Sequence, residues 1–213
     1  DGDESRRNDV IGVINIHHFY TKRNLYVISK ILDAVKKSPI LIFGFLNTSW
    51  HATLMRRYNA RGGHRPLSGT YYIPSCPSEG NMIDVYKNKI RQLRRFLKVR
   101  GNHDDKFIIT TQSTSNLSNI PSNSVDYIFT DPPFGANLMY SELNFLWEVW
   151  LKTFTNSKKE AIINKVQGKG LQEYQYLMEL CFKENYRILK PSRWMTVEFH
   201  NSKNSVWIAI QEA

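Results

Sequence analysis

The residues best suited to chemistry stand in the stretch FTDPPFGANLMYSEL, residues 129 to 143, where an apolar run ends in Asp131. Two prolines and Phe134 follow at once, although Asp and Pro after a strand often form no more than a turn. Because proline makes up about 5% of residues, a chance Asp-Pro-Pro-aromatic tetrapeptide occurs in only about a few per thousand chains of this length. The tetrapeptide also directly follows a predicted strand, which favours a functional role.

This tetrapeptide can activate an amine attached to an aromatic ring. The lone pair of such an amine, as on adenine or cytosine, is delocalised into the ring, so the nitrogen is a weak nucleophile. The Asp131 carboxylate can accept one N–H and the Pro132 carbonyl the other, because consecutive prolines hold that carbonyl in a set direction. The nitrogen then becomes more tetrahedral and can attack a neighbouring sulfonium methyl group in line. Phe134 offers a flat face for an unstacked base.

The elements around the tetrapeptide are predicted to alternate between strands and helices. The predicted strands are KFIITT (106–111), SVDYIFT (124–130) and RWMTVEF (193–199), and the predicted helices run from about Tyr140 to Lys152, from Leu171 to Leu189 and from Ser205 onward. This alternation predicts a parallel sheet with helical crossovers, and its ligand crevice lies beyond the carboxyl ends of the strands. The polar segment 155–170 predicts either a mobile flap or a disordered insertion.

The first hundred residues are predicted to be mostly helical. The predicted elements are a helix after the cap Thr21, a helix from Pro39, a helix over residues 81 to 99, and short strands at residues 10 to 16 and 70 to 73. The apolar run after Pro39 fits a strand as well. We therefore expect a helical N-terminal part, residues 1–104, and an α/β part, residues 105–213, packed as one compact unit.

The charge of the chain favours an acidic partner. Lys and Arg exceed Asp and Glu by 29 to 19, a formal net charge of +10, which suits nucleic acid better than an acidic small molecule. The basic and aromatic segment WHATLMRRYNARGGHRP, residues 50 to 66, holds the candidate phosphate contacts Arg56, Arg57, Arg61 and Arg65. An ordinary solvated surface explains these arginines equally well.

Several other classes of protein are disfavoured. Cys76 and Cys181 offer no disulfide framework or zinc motif, and the six histidines lack the spacing of a metal site. No stretch reaches the ~18 apolar residues of a membrane span, and the first residues have no signal-peptide core. We expect a cytoplasmic protein with no metal and no membrane partner. Because the sequence begins without Met and ends in a predicted helix, we expect further domains beyond it.

The residues around the tetrapeptide carry a family resemblance. TDPPFG, followed by YSELNFLWEVWL, resembles the amino-methylating DNA methyltransferases, which use S-adenosylmethionine to make N6-methyladenine or N4-methylcytosine. ENYRILKPS and WMTVEF are similar to the catalytic half of that family, and FYTKRNL and VEFHNSKNSVW to stretches of larger bacterial site-specific DNA methylases. The resemblance covers residues 105 to 213 well and residues 15 to 100 more thinly.

The resemblance implies a Rossmann-like methyltransferase fold, incomplete here, that acts on DNA within a bacterial restriction-modification system. Asp131, Pro132, Pro133 and Phe134 would form its catalytic motif, and Asp in the first place favours adenine N6 over cytosine N4. The cofactor would be S-adenosylmethionine, held near Thr130, Asp131, Gln112 and Ser113. Tyr140, Ser141 and Glu142 would flank the substrate, with Tyr140 touching the nucleic acid, although helix capping and packing explain these three residues as well.

Two departures from the family's pattern concern the cofactor. The family binds it through a glycine-rich F-x-G-x-G turn, whereas FGFLNTS has one glycine and ARGGHRP follows no predicted strand. Where the family commonly has an acid after its strand, this chain has Gln112 and Ser113. We therefore expect weak or absent cofactor binding by these 213 residues alone. The open alternatives are methylation of an RNA base or a glutamine side chain, and an inactive nucleic-acid-binding subunit.

Overall fold

The computed structural model describes residues 2–100 and 106–213. Within these residues the chain forms six α-helices and one two-stranded parallel sheet, so the fold is α/β. Its packing divides it into a helical unit, residues 3–107 with 143–154, and a sheet unit, residues 108–142 and 155–213 with the N-terminal dipeptide. The predicted boundary at residues 104 and 105 falls outside the described residues, as does His103.

The helical unit is built from local sequence signals. Its helices are α1 (Lys22–Val35), α2 (Pro39–His51), α3 (Met82–Arg100) and, from Leu143 onward, most of α4 (Tyr140–Leu151). α1 begins as predicted, because the Thr21 hydroxyl accepts a hydrogen bond from the Asn24 amide at 3.2 Å. Pro39 occupies the first turn of α2, so the apolar run after it is a helix and not a strand.

The core of the helical unit forms where α2 meets its neighbours. Ile28, Phe45, Met55 and Leu146 are almost fully buried there. Gly44 lets α3 approach α2 closely, since a Cβ at that position would lie 3.3 Å from the side chains of Ile90 and Leu93. The single glycine of FGFLNTS therefore has a packing role.

The sheet unit is a parallel strand pair with a helical crossover. Strand β1 (Val125–Thr130) and strand β2 (Leu189–Val197) are joined through α5 (Leu171–Ile188), and α6 (Asn204–Glu212) packs against α5. The predicted parallel pairing of these two strands is confirmed. Tyr174, Met178 and Val206 form a small core between the two helices.

The register of the sheet brings the carboxyl ends of both strands to one edge. Val125 pairs with Leu189 and Tyr127 with Trp194, so four residues of β2, 190–193, bulge out between these two pairs. Within this bulge, Lys190 binds the Asp126 carboxylate at 2.8 Å. At the far end the Glu198 amide donates to the Thr130 carbonyl at 2.9 Å, so the residues after both strands are neighbours.

Three predicted strands are wrong. KFIITT has no regular structure, and Ile108 and Ile109 are 91% and 84% exposed. Strand propensity depends on a pleated, half-buried neighbourhood, which this segment lacks. Residues 10 to 16 include parts of two 3-10 helices, Asp9–Ile11 and Ile16–Phe19, because Gly12 turns the chain at a φ of 80°. Residues 70 to 73 form no strand, and Tyr71 is buried in the helical unit instead.

The polar segment 155–170 packs onto the sheet unit. It contains the 3-10 helix Ser157–Lys159, and its apolar residues Ala161 and Ile162 are buried. Lys169 ties the segment together by donating hydrogen bonds to the carbonyls of Ser157 at 2.6 Å and Glu160 at 2.7 Å. The segment therefore contributes to the core of the sheet unit, which the sequence did not predict.

Among the helices of residues 2–100 and 106–213, none combines the length and the apolar character that crossing a bilayer requires.

Candidate active site

The Asp-Pro-Pro-Phe loop leaves the carboxyl end of β1, at the edge where parallel sheets bind ligands. Asp131 is exposed, Pro132 is buried, and Pro133 and Phe134 are partly buried. The carboxylate therefore faces solvent while the prolines anchor the loop. This arrangement makes Asp131 accessible to a ligand that reaches the end of the strand.

Three successive backbone carbonyls of the loop are held by hydrogen bonds. The Tyr174 hydroxyl donates to Pro133 O at 2.8 Å, the Asn201 amide to Phe134 O at 2.9 Å, and the Ile163 backbone to Gly135 O at 3.2 Å. The Pro132 carbonyl has no such partner within residues 2–100 and 106–213. The loop is thus fixed on its downstream side, and the carbonyl next to Asp131 keeps its acceptor capacity.

Gly135 turns the chain directly after the tetrapeptide. Its φ is +66°, in the left-handed region that side chains disfavour, and the residue is buried. A Cβ there would lie 3.1 Å from Cγ1 of Val206 on α6. Both the backbone conformation and the packing therefore require glycine after Phe134.

The Phe134 ring belongs to an aromatic row. It meets the Phe199 ring edge to face, with centroids 5.3 Å apart, and Phe199 meets Trp207 in the same way at 4.9 Å. Phe199 follows β2 and Trp207 lies on α6. The row fixes the orientation of Phe134 while leaving this side chain partly exposed.

Tyr140 lies close enough to Asp131 for the carboxylate charge to affect the pKa of its hydroxyl. Partial burial raises the pKa of the Tyr140 hydroxyl, and the negative charge of Asp131 raises this pKa further. Tyr140 is exposed at the first turn of α4. The structure therefore brings together two of the predicted site residues, a carboxylate and a neutral phenol.

Ser141 and Glu142 take part in helix capping and packing. The Ser141 amide donates to the Glu160 carboxylate at 3.0 Å, and buried Glu142 accepts a hydrogen bond from the Asn164 side chain at 3.1 Å. Both contacts tie the start of α4 to the segment 155–170. Of the three residues predicted to flank the substrate, only Tyr140 is exposed.

The predicted cofactor residues are only partly placed at the sheet edge. Thr130 ends β1, and its carbonyl is used by the pairing with Glu198. Gln112 is exposed, and the Ser113 hydroxyl shares a 2.8 Å hydrogen bond with Ser115. Because KFIITT is not a strand, the geometric reason for putting Gln112 and Ser113 at a strand end no longer holds.

The four predicted phosphate contacts lie in the helical unit, in the loop after α2. Arg57, Arg61 and Arg65 are exposed. Arg56 is partly buried and donates from Nε to the His64 carbonyl at 3.1 Å. Exposed arginines of this kind can contact phosphates, and their role stays a prediction.

The residues that hold the loop, Tyr174, Phe199 and Asn201, were not among the predicted site residues. A sequence signal existed for two of them, because Phe199 and Asn201 follow β2 and the ends of parallel strands share an edge. Tyr174 is fully buried on α5, one turn before Met178. Its periodicity indicates only a core position.

Among the described residues, no F-x-G-x-G turn for S-adenosylmethionine follows either strand. Where a Cβ would be crowded, the obstacle is one of the protein's own side chains, as at Gly44, Gly80 and Gly135. Gly62 and Gly63 sit in an exposed loop at positive φ, with open space where a Cβ would stand. No cluster of three or more His, Cys, Asp or Glu suited to a metal ion occurs in the part of the chain that the structure describes.

Neither a protein-family model, nor a curated protein, nor a solved structure matches the chain.

Proposed function

We propose that this chain carries the amine-binding part of an S-adenosylmethionine-dependent DNA methyltransferase of Rossmann-like fold, with adenine N6 favoured over cytosine N4. The observation that carries the proposal is that the exposed Asp131 carboxylate is directly followed by the Pro132 carbonyl, which is not engaged by the described part of the fold. Within residues 2–100 and 106–213 that carbonyl has no hydrogen-bond partner, while the next three carbonyls are bonded. Two acceptors side by side match the two hydrogens of an exocyclic amine.

The proposed reaction depends on how these two acceptors hold the amine. Hydrogen bonds to Asp131 and Pro132 pull both N–H bonds out of the plane of the base, so the nitrogen becomes more tetrahedral and its lone pair is freed for bond formation. The carboxylate can also take the proton that the nitrogen must lose once it has formed its fourth bond. The chain's own part in the reaction is to bind, orient and deprotonate the amine.

Two aromatic side chains support the placement of a base. The partly exposed Phe134 ring, held by Phe199, offers a surface on which an unstacked base can lie. The Tyr140 hydroxyl stays protonated beside Asp131, so it can donate a hydrogen bond to the base or to the carboxylate. Both residues are fixed by elements of the sheet unit, which gives the site a rigid support.

The test is methyl transfer from labelled S-adenosylmethionine to DNA by the full-length protein. Asp131→Ala is expected to lower incorporation by about a hundredfold or more, because it removes an acceptor that also serves as the base. Asp126→Ala is the matched control, since Asp126 lies on β1, is exposed like Asp131, and pairs with Lys190 and Arg193 away from the loop. Asp131→Ala with undiminished incorporation would contradict the proposed role.

Nucleoside analysis of the product distinguishes the related activities. N6-methyladenine in DNA is the expected product. N4-methylcytosine would identify cytosine as the target base, and label in RNA or protein would identify a different class of substrate. Absence of label in all three, with intact DNA binding, would leave a nucleic-acid-binding protein of the same fold.

A further inference from the structure

The helical unit contains a cavity that the proposed reaction does not use. It has a volume of about 570 Å³ and lies between α2 and α3, with one wall from α4. Its main lining residues are Phe43, Asn47, Trp50, Lys89, Phe96 and Trp147. A cavity of this size can hold a ring system as large as a purine.

The walls of the cavity are aromatic and firmly held. Trp147 donates from its indole nitrogen to the Leu46 carbonyl at 3.1 Å, and its ring lies 6.3 Å from that of Trp50. Phe43 and Phe96 are 67% and 60% exposed, so they stand at an open mouth and keep free ring faces. Fixed indoles inside and exposed phenyl rings outside suit a flat aromatic ligand that enters from solvent.

One residue of the cavity wall, Asn47, carries a polar atom without a partner in the described part of the chain. The side-chain oxygen Oδ1 of Asn47 is buried and accepts no hydrogen bond within the described residues. A buried acceptor of this kind costs free energy, and because Oδ1 is enclosed, a ligand donor can reach it only when the Asn47 amide rotates toward the cavity. An exocyclic amine on an aromatic base is such a donor, and Asn is a side chain that pairs with adenine through its amide.

Positive charge gathers at one end of the cavity. Lys89 lines it and donates to the neutral Gln92 amide at 3.1 Å, so its charge is not cancelled there. His51, one turn after Asn47 on α2, has its pKa lowered to about 4, by burial first and then by the charges of Arg56, Lys89 and Arg65. These three cations therefore lie near the same end of α2. Arg56 also has a buried nitrogen, Nη1, with no partner in the described residues.

We propose that this cavity receives an unstacked, amine-bearing base of a single-stranded nucleic acid, with Asn47 accepting from the base and Lys89, Arg56 and Arg65 contacting the adjacent phosphates. A strand fits better than a free nucleotide because the positive charge continues past the cavity. This positive charge continues through exposed Arg57 and Arg61 and through the exposed arginines of α3. The open mouth at Phe43 and Phe96 also leaves room for the chain to enter and leave. This binding site is independent of the proposed reaction at Asp131.

The binding test uses fluorescence anisotropy with the 213-residue chain and labelled oligonucleotides of about 12 nucleotides. Single strands of adenine or cytosine are expected to bind about fivefold more tightly than strands of thymine, since thymine has no exocyclic amine for Asn47. A duplex of the same length is expected to bind more weakly, because its bases are stacked. Equal affinity for all three strands and the duplex would overturn the proposal.

Matched variants distinguish binding in the cavity from binding by the positive surface charge in general. Phe43→Ala is expected to weaken single-strand binding about tenfold, whereas Tyr26→Ala on α1, a 65% exposed aromatic outside the lining, changes it less than about twofold. Lys89→Ala is expected to weaken binding more than Lys87→Ala, which removes the same charge from the opposite side of α3. Equal losses within each pair would show binding by charge alone and overturn the proposal.

A competition experiment distinguishes a nucleic-acid strand from a free nucleotide as the ligand. Unlabelled adenosine monophosphate is expected to displace the adenine strand only at a far higher nucleotide concentration than an unlabelled strand. Displacement at equal nucleotide concentration would identify a free nucleotide as the ligand and overturn the assignment to a strand. Because these readouts involve no methyl transfer, failure here leaves the role of Asp131 untouched.

Discussion

The Tyr174 hydroxyl donates a 2.8 Å hydrogen bond to the Pro133 carbonyl, and this contact links the middle of α5 to the loop that follows β1. Tyr174 is fully buried, and burial raises its pKa to about 12, so the hydroxyl remains a donor at all ordinary pH values. A permanent donor on a rigid helix fixes the direction of the Pro133 carbonyl. The orientation of the Pro133–Phe134 peptide, which closely follows Asp131, therefore depends on a residue 41 positions after Pro133.

Tyr174→Phe is expected to destabilise the protein by about 1–2 kcal/mol, because the Pro133 carbonyl loses its donor in a partly buried setting. Chemical denaturation monitored by circular dichroism measures this change. Tyr176→Phe is the control, since Tyr176 lies on the same helix and is 60% exposed. If the proposed function holds, Tyr174→Phe also lowers kcat more than it raises KM. Equal stabilities of the two variants would contradict the role of Tyr174 in holding the Pro133 carbonyl.

Gly135→Ala is expected to destabilise the protein more than Gly168→Ala. Both residues have nearly the same positive φ, +66° and +67°, so both substitutions cost about 1–2 kcal/mol in backbone conformation. Only Gly135 also faces Val206 Cγ1 at 3.1 Å, whereas nothing lies within 4 Å of a Cβ at Gly168. The difference between their unfolding free energies measures the packing at Val206. Measured against Val206→Ala alone, the cost of Gly135→Ala should fall toward that of Gly168→Ala, and an unchanged cost would exclude the Val206 contact as its cause.

Arg187→Met is expected to increase local opening of the segment before β1, residues 117–124. The guanidinium donates to the carbonyls of Leu117 at 2.8 Å and Ile120 at 3.0 Å, and it binds Glu184, whose pKa it helps to lower to about 2. Hydrogen exchange of the amides of residues 117–124 should therefore become faster. Lys183→Met is the control, because Lys183 lies one turn earlier and pairs only with exposed Glu179 among the described residues. Equal exchange in both variants would contradict this role.

The helices could be predicted from the sequence because their signals are local. Thr21 caps α1, Pro39 opens α2, and the 3.6-residue spacing of apolar side chains marks α3 and α5. The parallel pairing of β1 and β2 followed from a strand, a helix and a strand in succession. The position of Asp131 at the mouth of β1 followed from that pattern as well.

Other features depend on contacts that no local pattern encodes. KFIITT has the composition of a strand, yet its state depends on whether a neighbouring strand is present to pair with it. The donor for Pro133 lies 41 residues further along the chain, and a buried Tyr on an amphipathic helix indicates only packing. The division of α4 after Glu142, with its first turn in one unit and the remainder in the other, has no sequence signal either.

The stability of the helical unit is expected to fall as the pH is lowered from about 6.5 to about 4, through His51. Burial, followed by the charges of Arg56, Lys89 and Arg65, lowers the pKa of His51 to about 4, below the usual value near 6.5. Between these two pH values the unfolded state binds more protons than the folded state, so stability rises with pH there and is complete above about 6.5. His51→Gln removes the titration, so its melting temperature should depend less on pH across that window than that of the wild type. His200→Gln is the control, because His200 is an exposed histidine of the sheet unit. Identical pH profiles for wild type and His51→Gln would show that His51 titrates alike in the folded and unfolded states.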